Sequence, residues 1–363
     1  MKVNNTKNIF YIFFACFICI TIFIACEQEG NSEFTSEVQL YKNAQLSNIY
    51  DNEIYPLTIE FTTETNVLVS LAKTYKGQPT AANLETLQLQ WKSIQLIWKQ
   101  LELYDLGDIA NSFITFEINR WPTNPENIEE IIASDDVINA DYIATKGSSS
   151  KGISGLEYLI FSNKNTAKTR RLDYIVAVSK NLELKANQLA SIWADYAPSF
   201  TTALNNGIDG SQNQVINAMV TLIEEIIISK LGNALGDTNG GTIEVNRLEA
   251  YRSSFSKEII ATHLSALKKC YSGEFAQTPF RVGFDDFLTL IGSEAFSEKI
   301  NTQFKDCENK LNAIPSSLKE EIENNPENVI ALKDAMRELL ILIKVDMANI
   351  LGSTITFNDN DGD

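Results

Sequence analysis

Apolar side chains recur every three to four residues over most of this 363-residue chain, which is the spacing of one face of an α-helix. The pattern is clear in four segments and weaker in a fifth, namely residues 84–103, 172–193, 215–231, 329–351 and 245–269. All eight prolines fall between such segments or at their first turn, where proline is tolerated. Strand-like patterns are limited to residues 54–62 and 355–357. The sequence therefore predicts an all-α protein.

The helical body is too long for a single four-helix bundle. Long helices that carry tryptophan occur in both halves, and short connections favour antiparallel neighbours. We therefore predict two antiparallel four-helix-bundle-like domains packed together, over residues 36–165 and 166–354. Residues 355–363 form an acidic tail whose Asp and Gly spacing resembles part of a calcium loop but lacks the closing Glu of an EF-hand, so a flexible tail is the simpler interpretation.

The first 25 residues are typical of a secretory signal peptide, with two lysines before a long apolar run. The sequence Phe-Ile-Ala-Cys that ends at Cys26 resembles a bacterial lipobox, which predicts cleavage and lipidation at Cys26, followed by a linker over residues 26–35. An uncleaved anchor helix is the alternative, because the apolar run is just long enough to span a bilayer. We expect a lipid-anchored protein in the envelope of a Gram-negative-type bacterium, in the outer membrane and facing the periplasm or the cell surface.

Composition excludes two classes of function. The chain has 47 acidic and 30 basic residues, and a net charge of −17 disfavours a nucleic-acid partner. A single His, His263, removes most zinc chemistry, which depends on two or three imidazoles, and we expect this residue to be structural or exposed. We assign no catalytic residues.

Four motifs resemble those of the imelysin-like family, which has long been grouped with metallopeptidases and is associated with bacterial iron uptake. They are the Trp-Pro step at 121–122 after a helix, a Gly-x-Ser-x-x-Glu sequence at 152–157, Arg-Arg-x-x-Tyr at 170–174, and the ending Leu351–Asp363. The resemblance covers roughly residues 36–363. It implies two similar bundles with a functional site at their interface, and iron or another divalent metal as the bound group.

This chain departs from the family's hallmark, which is Gly-x-His-x-x-Glu. Ser154 stands where the His belongs, and a hydroxyl is a poor ligand for zinc or iron beside imidazole and carboxylate. We therefore expect no peptidase activity, and we expect a protein that binds a metal ion or metal complex at the domain interface during iron acquisition. The alternative is a nutrient- or glycan-binding lipoprotein, which should display an exposed aromatic platform.

Glu157 is the predicted metal ligand, beside the binding candidates Gly152 and Ser154. The alternative is a capping box, in which the Ser154 hydroxyl and the Glu157 carboxylate cap one helix start and bind nothing else. Gly152 and Gly155 predict a close approach of backbone or a positive φ.

The other binding candidates come from two further stretches. Glu117, Arg120 and Trp121 lie at the Trp-Pro step, and Glu249, Arg252 and Ser253 lie in a stretch that resembles a polar segment of the family's second half. For Glu117 and Arg120 the alternative is a surface ion pair, and for the last three residues it is a solvated helix face. Of Glu224 and Glu225, in the most apolar segment, we expect at least one to face outward. Cys270 and Cys307 are either disulfide-bonded or free.

Overall fold

A computed structural model describes residues 35–162, 168–275 and 281–356. The chain divides into two compact units, residues 1–44 and 45–363. In the first unit residues 35–44 are helical. The predicted signal peptide, Cys26, and the tail from residue 357 onward lie outside the described residues. Every helix within the described ranges is too short or too polar to cross a membrane.

The second unit begins with one long helix and a return helix. Residues 45–49 and the π-helical turn Tyr50–Ile54 run directly into the first of them. The helices of the first half are α1 (Tyr55–Gly77), α2 (Ala81–Leu101), α3 (Gly107–Ser112), α4 (Ile114–Ile118), α5 (Pro125–Ala133), α6 (Ala140–Ala144), α7 (Gly152–Phe161) and α8 (Thr169–Thr202). Short 3₁₀ turns at Glu102–Tyr104 and Ser148–Ser150 follow α2 and precede α7.

The second half is also helical, and two of its helices continue as π-helix. Its helices are α9 (Ser211–Glu225), α10 (Asn233–Leu235), α11 (Ser256–Ser272), α12 (Phe284–Leu290), α13 (Glu294–Asn312), α14 (Leu318–Asn324), α15 (Glu327–Ile341) and α16 (Ala348–Leu351). The π-helical segments Ile226–Gly232 and Leu342–Met347 continue α9 and α15, and a 3₁₀ turn at Val245–Arg247 precedes α11.

Two groups of four long helices form the body of this unit. The first group is α1, α2, α7 and α8, and the second is α9, α11, α13 and α15. Helix α2 also packs on α11, which joins the groups. Trp91, Trp98 and Trp193 are buried, as expected for residues on apolar stripes. The predicted all-α fold class is confirmed, and no described residue lies in a β-strand.

Helix α8 packs mainly on α1 and on α7, although the predicted boundary after residue 165 assigned it to the C-terminal bundle. Its buried face is long and apolar and includes Leu182, Leu189 and Trp193. A division placed by these contacts would follow α8. The two-domain division itself stays a prediction.

The structure corrects three details of the sequence reading. Residues 54–62 belong to helix, because one apolar face with a short strand-like alternation is equally compatible with α1. The helix predicted over 245–269 begins only at Ser256. Helix α8 continues past the predicted end at 193 and includes Pro198 in its last turns. Cys270 and Cys307 are both buried free thiols.

Candidate functional site

Gly152 begins α7 with a backbone conformation that a larger residue would strain. Its φ is +66°, and a Cβ atom at this position would lie 2.3 Å from the carbonyl oxygen of Ile118. A Cβ atom at Gly155 would lie 3.1 Å from the carbonyl carbon of Ser150. The predicted close approach of backbone is therefore confirmed at both glycines, and it holds the start of α7 against the end of α4.

Ser154 starts a hydrogen-bonded chain that leads to a buried carboxylate. Its hydroxyl donates to Oδ1 of Asn119 at 2.6 Å, and Nδ2 of Asn119 donates to Oε1 of Glu249 at 2.8 Å. The capping-box alternative is wrong, because the N-cap of α7 is Lys151 and no side chain caps it. Because the helix begins two residues before Ser154, this residue is not at the cap position, and its hydroxyl bonds Asn119 in a neighbouring segment.

Glu157 joins α7 to the segment before α11. The side chain is buried, and its Oε1 accepts hydrogen bonds from the backbone N–H of Ser253 at 2.9 Å and from the Ser253 hydroxyl at 3.0 Å. Nη1 of Arg252 lies 4.0 Å from Oε2. Burial raises the pKa of Glu157, and the Ser253 hydrogen bonds and the Arg252 charge oppose that rise. Glu157 thus links the two helix groups through satisfied polar contacts.

Five side chains form a buried charge network, which consists of Lys99, Glu102, Lys230, Glu249 and His263. Nζ of Lys99 and Nζ of Lys230 each lie 2.7 Å from one oxygen of Glu249. Lys99 also lies 2.8 Å from Glu102, whose Oε2 is 2.7 Å from Nε2 of His263. Burial by itself would raise the pKa of Glu249, but Lys230 and Lys99 outweigh it and lower the pKa to about 2.

His263 is a structural member of this network. Burial lowers the pKa of His263 to about 4, although the bond to Glu102 opposes that change. The nearby cations hold the pKa of Glu102 well below its usual value against the effect of burial. A neutral imidazole beside a carboxylate must donate, so the proton of His263 is assigned to Nε2. Of the two predicted alternatives for His263, structural or exposed, its buried position confirms the structural one.

A cleft of about 650 Å³ opens beside the network, between the two groups of helices. Its walls combine charged and aromatic side chains from the end of α2, from α4 and the Trp-Pro segment, and from α9 with its π-helical continuation. The charged and aromatic lining residues are Trp98, Glu102, Asp105, Phe116, Arg120, Trp121, Glu225, Lys230 and Glu249. Such a volume is typical of sites for small molecules, which occupy about 300–1,000 Å³.

We call the exposed part of the cleft wall at Phe116 its mouth, and a second exposed ring, that of Phe113, lies beside Phe116. Phe116 is 42% exposed, and the guanidinium carbon of Arg120 lies 4.9 Å from the centre of its ring. Phe113 is 66% exposed and stacks on Phe116, with ring centres 6.4 Å apart and planes 22° apart. Phe113 also has a φ of +55°, which is an unfavourable conformation for a bulky residue. The fold thus holds two large rings in solvent at this place.

The structure brings three of the predicted residues to the cleft: Arg120, Trp121 and Glu249. Glu117 lies elsewhere, since it bonds Lys151 at 2.7 Å and accepts from Ser148 at 2.9 Å. The predicted alternative of a Glu117–Arg120 surface ion pair is therefore wrong: the buried Lys151 competes for the carboxylate, and Arg120 stacks on a ring.

The solvated-face alternative is wrong for the stretch that contains Glu249, Arg252 and Ser253. Glu249 is buried at the centre of the network, and the other two contact Glu157. This stretch forms turns before α11, so the helical periodicity on which that alternative rested does not apply. Of the adjacent acids in α9, one is buried and bonds Lys344 at 2.7 Å, and Glu225 faces the cleft with 40% of its side chain exposed.

A bare metal ion finds no evident cage in the described ranges. There, no group of three His, Cys, Asp or Glu side chains is arranged to hold one. One oxygen of Glu157 already accepts two hydrogen bonds from Ser253. The metal-ligand role of Glu157 stays a prediction.

Sequence reasoning missed Lys99, Glu102, Asp105 and Lys230 as parts of the site. One signal was available, because a lysine inside the nearly all-apolar segment 215–231 must find an acidic partner if it is buried. The identity of that partner was not readable, since Glu249 lies in an irregular segment whose position depends on tertiary packing.

The fold and the site thus define a class of all-helical proteins with a polar cleft between two groups of helices. The family model for Imelysin (Peptidase_M75) matches residues 60–343. The chain belongs to the imelysin family.

Relatives and solved structures agree with this membership. "Iron-regulated protein A" of Synechococcus elongatus is 22% identical over 66% of this chain, and the match spans 64% of that relative, which is less than two thirds of its length. An imelysin-like protein from Psychrobacter arcticum has a TM-score of 0.74 at 19% identity, over 88% of this chain and 98% of that one. A putative iron-regulated protein A precursor from Parabacteroides distasonis has a TM-score of 0.73 at 15% identity, over 86% and 95%.

Proposed function

We propose that this chain is a lipid-anchored protein of the bacterial envelope that binds an iron complex in the cleft between its two helix groups. The observation that carries the proposal is the cleft of about 650 Å³, whose wall contains the buried charges of Lys230 and Glu249 and whose mouth carries exposed aromatic rings. Buried charge beside a cavity of this size is typical of ligand sites.

Two arguments favour a complex of iron over a bare ion. The names of two similar proteins refer to iron regulation, which supports iron as the cargo. The described residues offer no group of three ligating side chains, whereas a chelator brings its own ligands and needs only shape and charge from the protein. The cleft supplies both.

We propose a binding role without peptidase activity. A metallopeptidase needs a metal held by imidazole and carboxylate ligands and a general base beside its water. Here Ser154 replaces the hallmark His and bonds Asn119, Glu157 bonds Ser253, and the one imidazole bonds Glu102. Each of these groups is thus already engaged in a contact within the protein, which supports a binding role.

The envelope location and the outer-membrane anchor rest on the sequence before the described residues. Cys26 follows an apolar run in a lipobox-like context, which supports lipidation. Labelling of cells with an alkyne-tagged fatty acid should modify the chain and should leave Cys26→Ser unlabelled. Labelling of the Cys26→Ser variant would contradict lipidation at this residue.

Titration of the full chain in detergent with ferric citrate tests the proposed cargo. Two of the four tryptophans, Trp98 and Trp121, line the cleft, so binding should quench intrinsic fluorescence and release or absorb heat. Trp121→Ala should weaken binding. Trp193→Phe changes a buried side chain of α8 that does not line the cleft, and it should leave binding unchanged. Absence of any response to ferric citrate and to other ferric chelates would refute the proposal.

The predicted metal role of Glu157 has its own test in the same assay. Ferrous, ferric, zinc and copper ions are titrated into the wild type and into Glu157→Gln, which keeps an acceptor for Ser253. A response that the variant abolishes would support direct ligation by Glu157. No response in the wild type would end this version of the proposal.

Glycan binding is a second candidate function, which the stacked rings of Phe113 and Phe116 at the cleft mouth favour. Sugar rings pack on exposed aromatic faces. A fluorescence response to neutral oligosaccharides, lost in Phe116→Ala and absent with ferric chelates, would replace the iron complex by a glycan.

A further inference from the structure

Two asparagines of α9 hold the last described residues of the chain alongside this helix. The side chain of Asn213 accepts a hydrogen bond from the backbone N–H of Thr354 at 2.7 Å and donates one to the Thr354 carbonyl oxygen at 3.1 Å. One turn further along α9, Asn217 accepts from the backbone N–H of Thr356 at 2.8 Å and donates to the same Thr354 oxygen at 2.9 Å. We call each asparagine with its backbone partners a rung. Alternate residues bonded on one side are typical of an extended segment.

The side of α9 that carries the rungs continues into the cleft. The second rung lines the cleft through both Asn217 and Thr356. Thr221 and Glu225 follow at four-residue steps and line it too, whereas Asn213 does not. The described chain therefore enters the cleft at its second rung, and it runs in the direction in which the cleft-lining face of α9 continues.

The spacing of the rungs allows the same pairing to extend further. Two residues of an extended segment advance about 6.6 Å, and four residues of an α-helix advance about 6.0 Å. The mismatch of about 0.6 Å per rung stays small over two more rungs. A continuation in this register would place residue 358 beside Thr221 and residue 360 beside Glu225, the last residue of α9.

The seven residues that follow Thr356 in the sequence suit this face of α9 by their chemistry. Residues 357–363 have the sequence Phe-Asn-Asp-Asn-Asp-Gly-Asp and lie outside the described residues. Asparagine occupies both positions, 358 and 360, that the register places beside α9. Its amide can donate to a carboxylate such as that of Glu225. Seven residues reach up to about 23 Å, about twice the diameter of a sphere with the cleft's volume of about 650 Å³.

We infer that residues 357–363 dock in the cleft along α9 and compete there with the ligand. The docking rests on the two rungs, and the competition rests on the proposed function of the cleft. Charge complementarity adds a further argument. Arg120 lines another wall of the cleft, stacks on Phe116 and has no ion-pair partner among the residues that the structure describes, and the docked segment would bring three aspartates to this cleft. A tail that stays free in solvent is the alternative.

Disulfide trapping in the full chain, in detergent, tests the docking. Asn360→Cys is combined either with Glu225→Cys at the expected register position or with Asn349→Cys, which changes an exposed residue outside the cleft lining. After mild oxidation, peptide mass mapping measures the yield of each disulfide. A segment docked about nine tenths of the time should form the disulfide between positions 225 and 360 about 10-fold more readily than the one between 349 and 360. A free tail should show no such preference.

Deletion of residues 357–363 tests the competition. If the docked segment leaves the cleft open about a tenth of the time, the deletion should raise the affinity for ferric citrate about 10-fold. Asn213→Ala removes the first rung and leaves the cleft lining intact. It should give part of this gain in the full chain and leave the affinity of the shortened chain unchanged. Circular dichroism spectra verify that each variant is folded.

The outcomes separate this inference from the proposed function. A preferred disulfide between positions 225 and 360, with a gain of affinity on deletion, supports the inference. Equal yields of the two disulfides overturn the docking and leave iron-complex binding standing. An affinity that the deletion lowers or leaves unchanged overturns the competition. A preferred disulfide without binding of any ferric chelate, by the full or the shortened chain, supports the docking and refutes the iron cargo.

Discussion

Replacing Glu249 by Gln tests whether the buried network stabilises the fold. Glu249 bonds two buried lysines, Lys99 and Lys230, each at 2.7 Å. The variant leaves both lysine charges in the interior. Among the described residues, Glu102 then lies 2.8 Å from Lys99 and 3.8 Å from Lys230, and Glu225 lies 4.0 Å from Lys230. Removing one partner of a buried ion pair costs about 3–5 kcal/mol. That is a large part of the about 5–15 kcal/mol that stabilises a typical domain.

Urea unfolding followed by circular dichroism at pH 7 measures this loss. Glu244→Gln is the control, because the Glu244–Arg247 pair is exposed and should contribute less than about 1 kcal/mol. The double variant Lys230→Met with Glu249→Gln removes one charge of each sign, so it should recover about 1–3 kcal/mol relative to Glu249→Gln alone. If Glu249→Gln behaves like Glu244→Gln, or the double variant shows no recovery, the reasoning about stranded charge is refuted.

Further predictions concern His263, Gly152 and Asn119. Because His263 is the only His, its imidazole signals in NMR spectra of untagged protein should titrate near pH 4, and titration near 6.5 would contradict a buried neutral ring. The unfolded chain takes up that proton first as pH falls, so the contribution of His263 to the free energy of unfolding should decrease between about pH 6.5 and 4, opposite in sign to the contributions of the Glu53 and Asp285 carboxyls, whose pKa values burial raises to about 7 and about 6. Gly152→Ala should destabilise the fold by at least about 2 kcal/mol in urea unfolding, whereas Gly77→Ala, with open space around it, should change stability by less than about 1 kcal/mol. Asn119→Ala should cost about 1–3 kcal/mol by the same measurement, and an unchanged midpoint would exclude its bridging role between Ser154 and Glu249.

Sequence periodicity predicted the fold well, because helices that bury one face must repeat apolar residues every three to four positions. Trp91, Trp98 and Trp193 all lie on predicted apolar faces and all are buried. Periodicity does not reveal which helices pack together, and the predicted boundary after residue 165 therefore rested on no contact information for α8. The contacts of α8 depend on long-range packing with α1, and no local pattern encodes that partner.

The site was harder to predict, because its members lie where regular structure ends. Asn119 follows α4, Asp105 follows the 3₁₀ turn after α2, and Glu249 lies in turns before α11. Lys230 lies in a π-helical segment, which shifts the faces of a helix relative to the 3.6-residue period. Motif comparison found Glu249 and Trp121 because it does not depend on periodicity.

Ser154, which occupies the position of the hallmark His, lies outside the lining of the cleft. Ser154 reaches the cleft only through Asn119, which donates to Glu249. It therefore acts on the position of a wall residue and does not itself line the cleft. Ser154→Ala should then reduce stability by about 1 kcal/mol and shift ligand affinity less than Trp121→Ala does. A larger effect on affinity than that of Trp121→Ala would show that the ligand reaches the hallmark position directly, and the binding site would then lie at the start of α7.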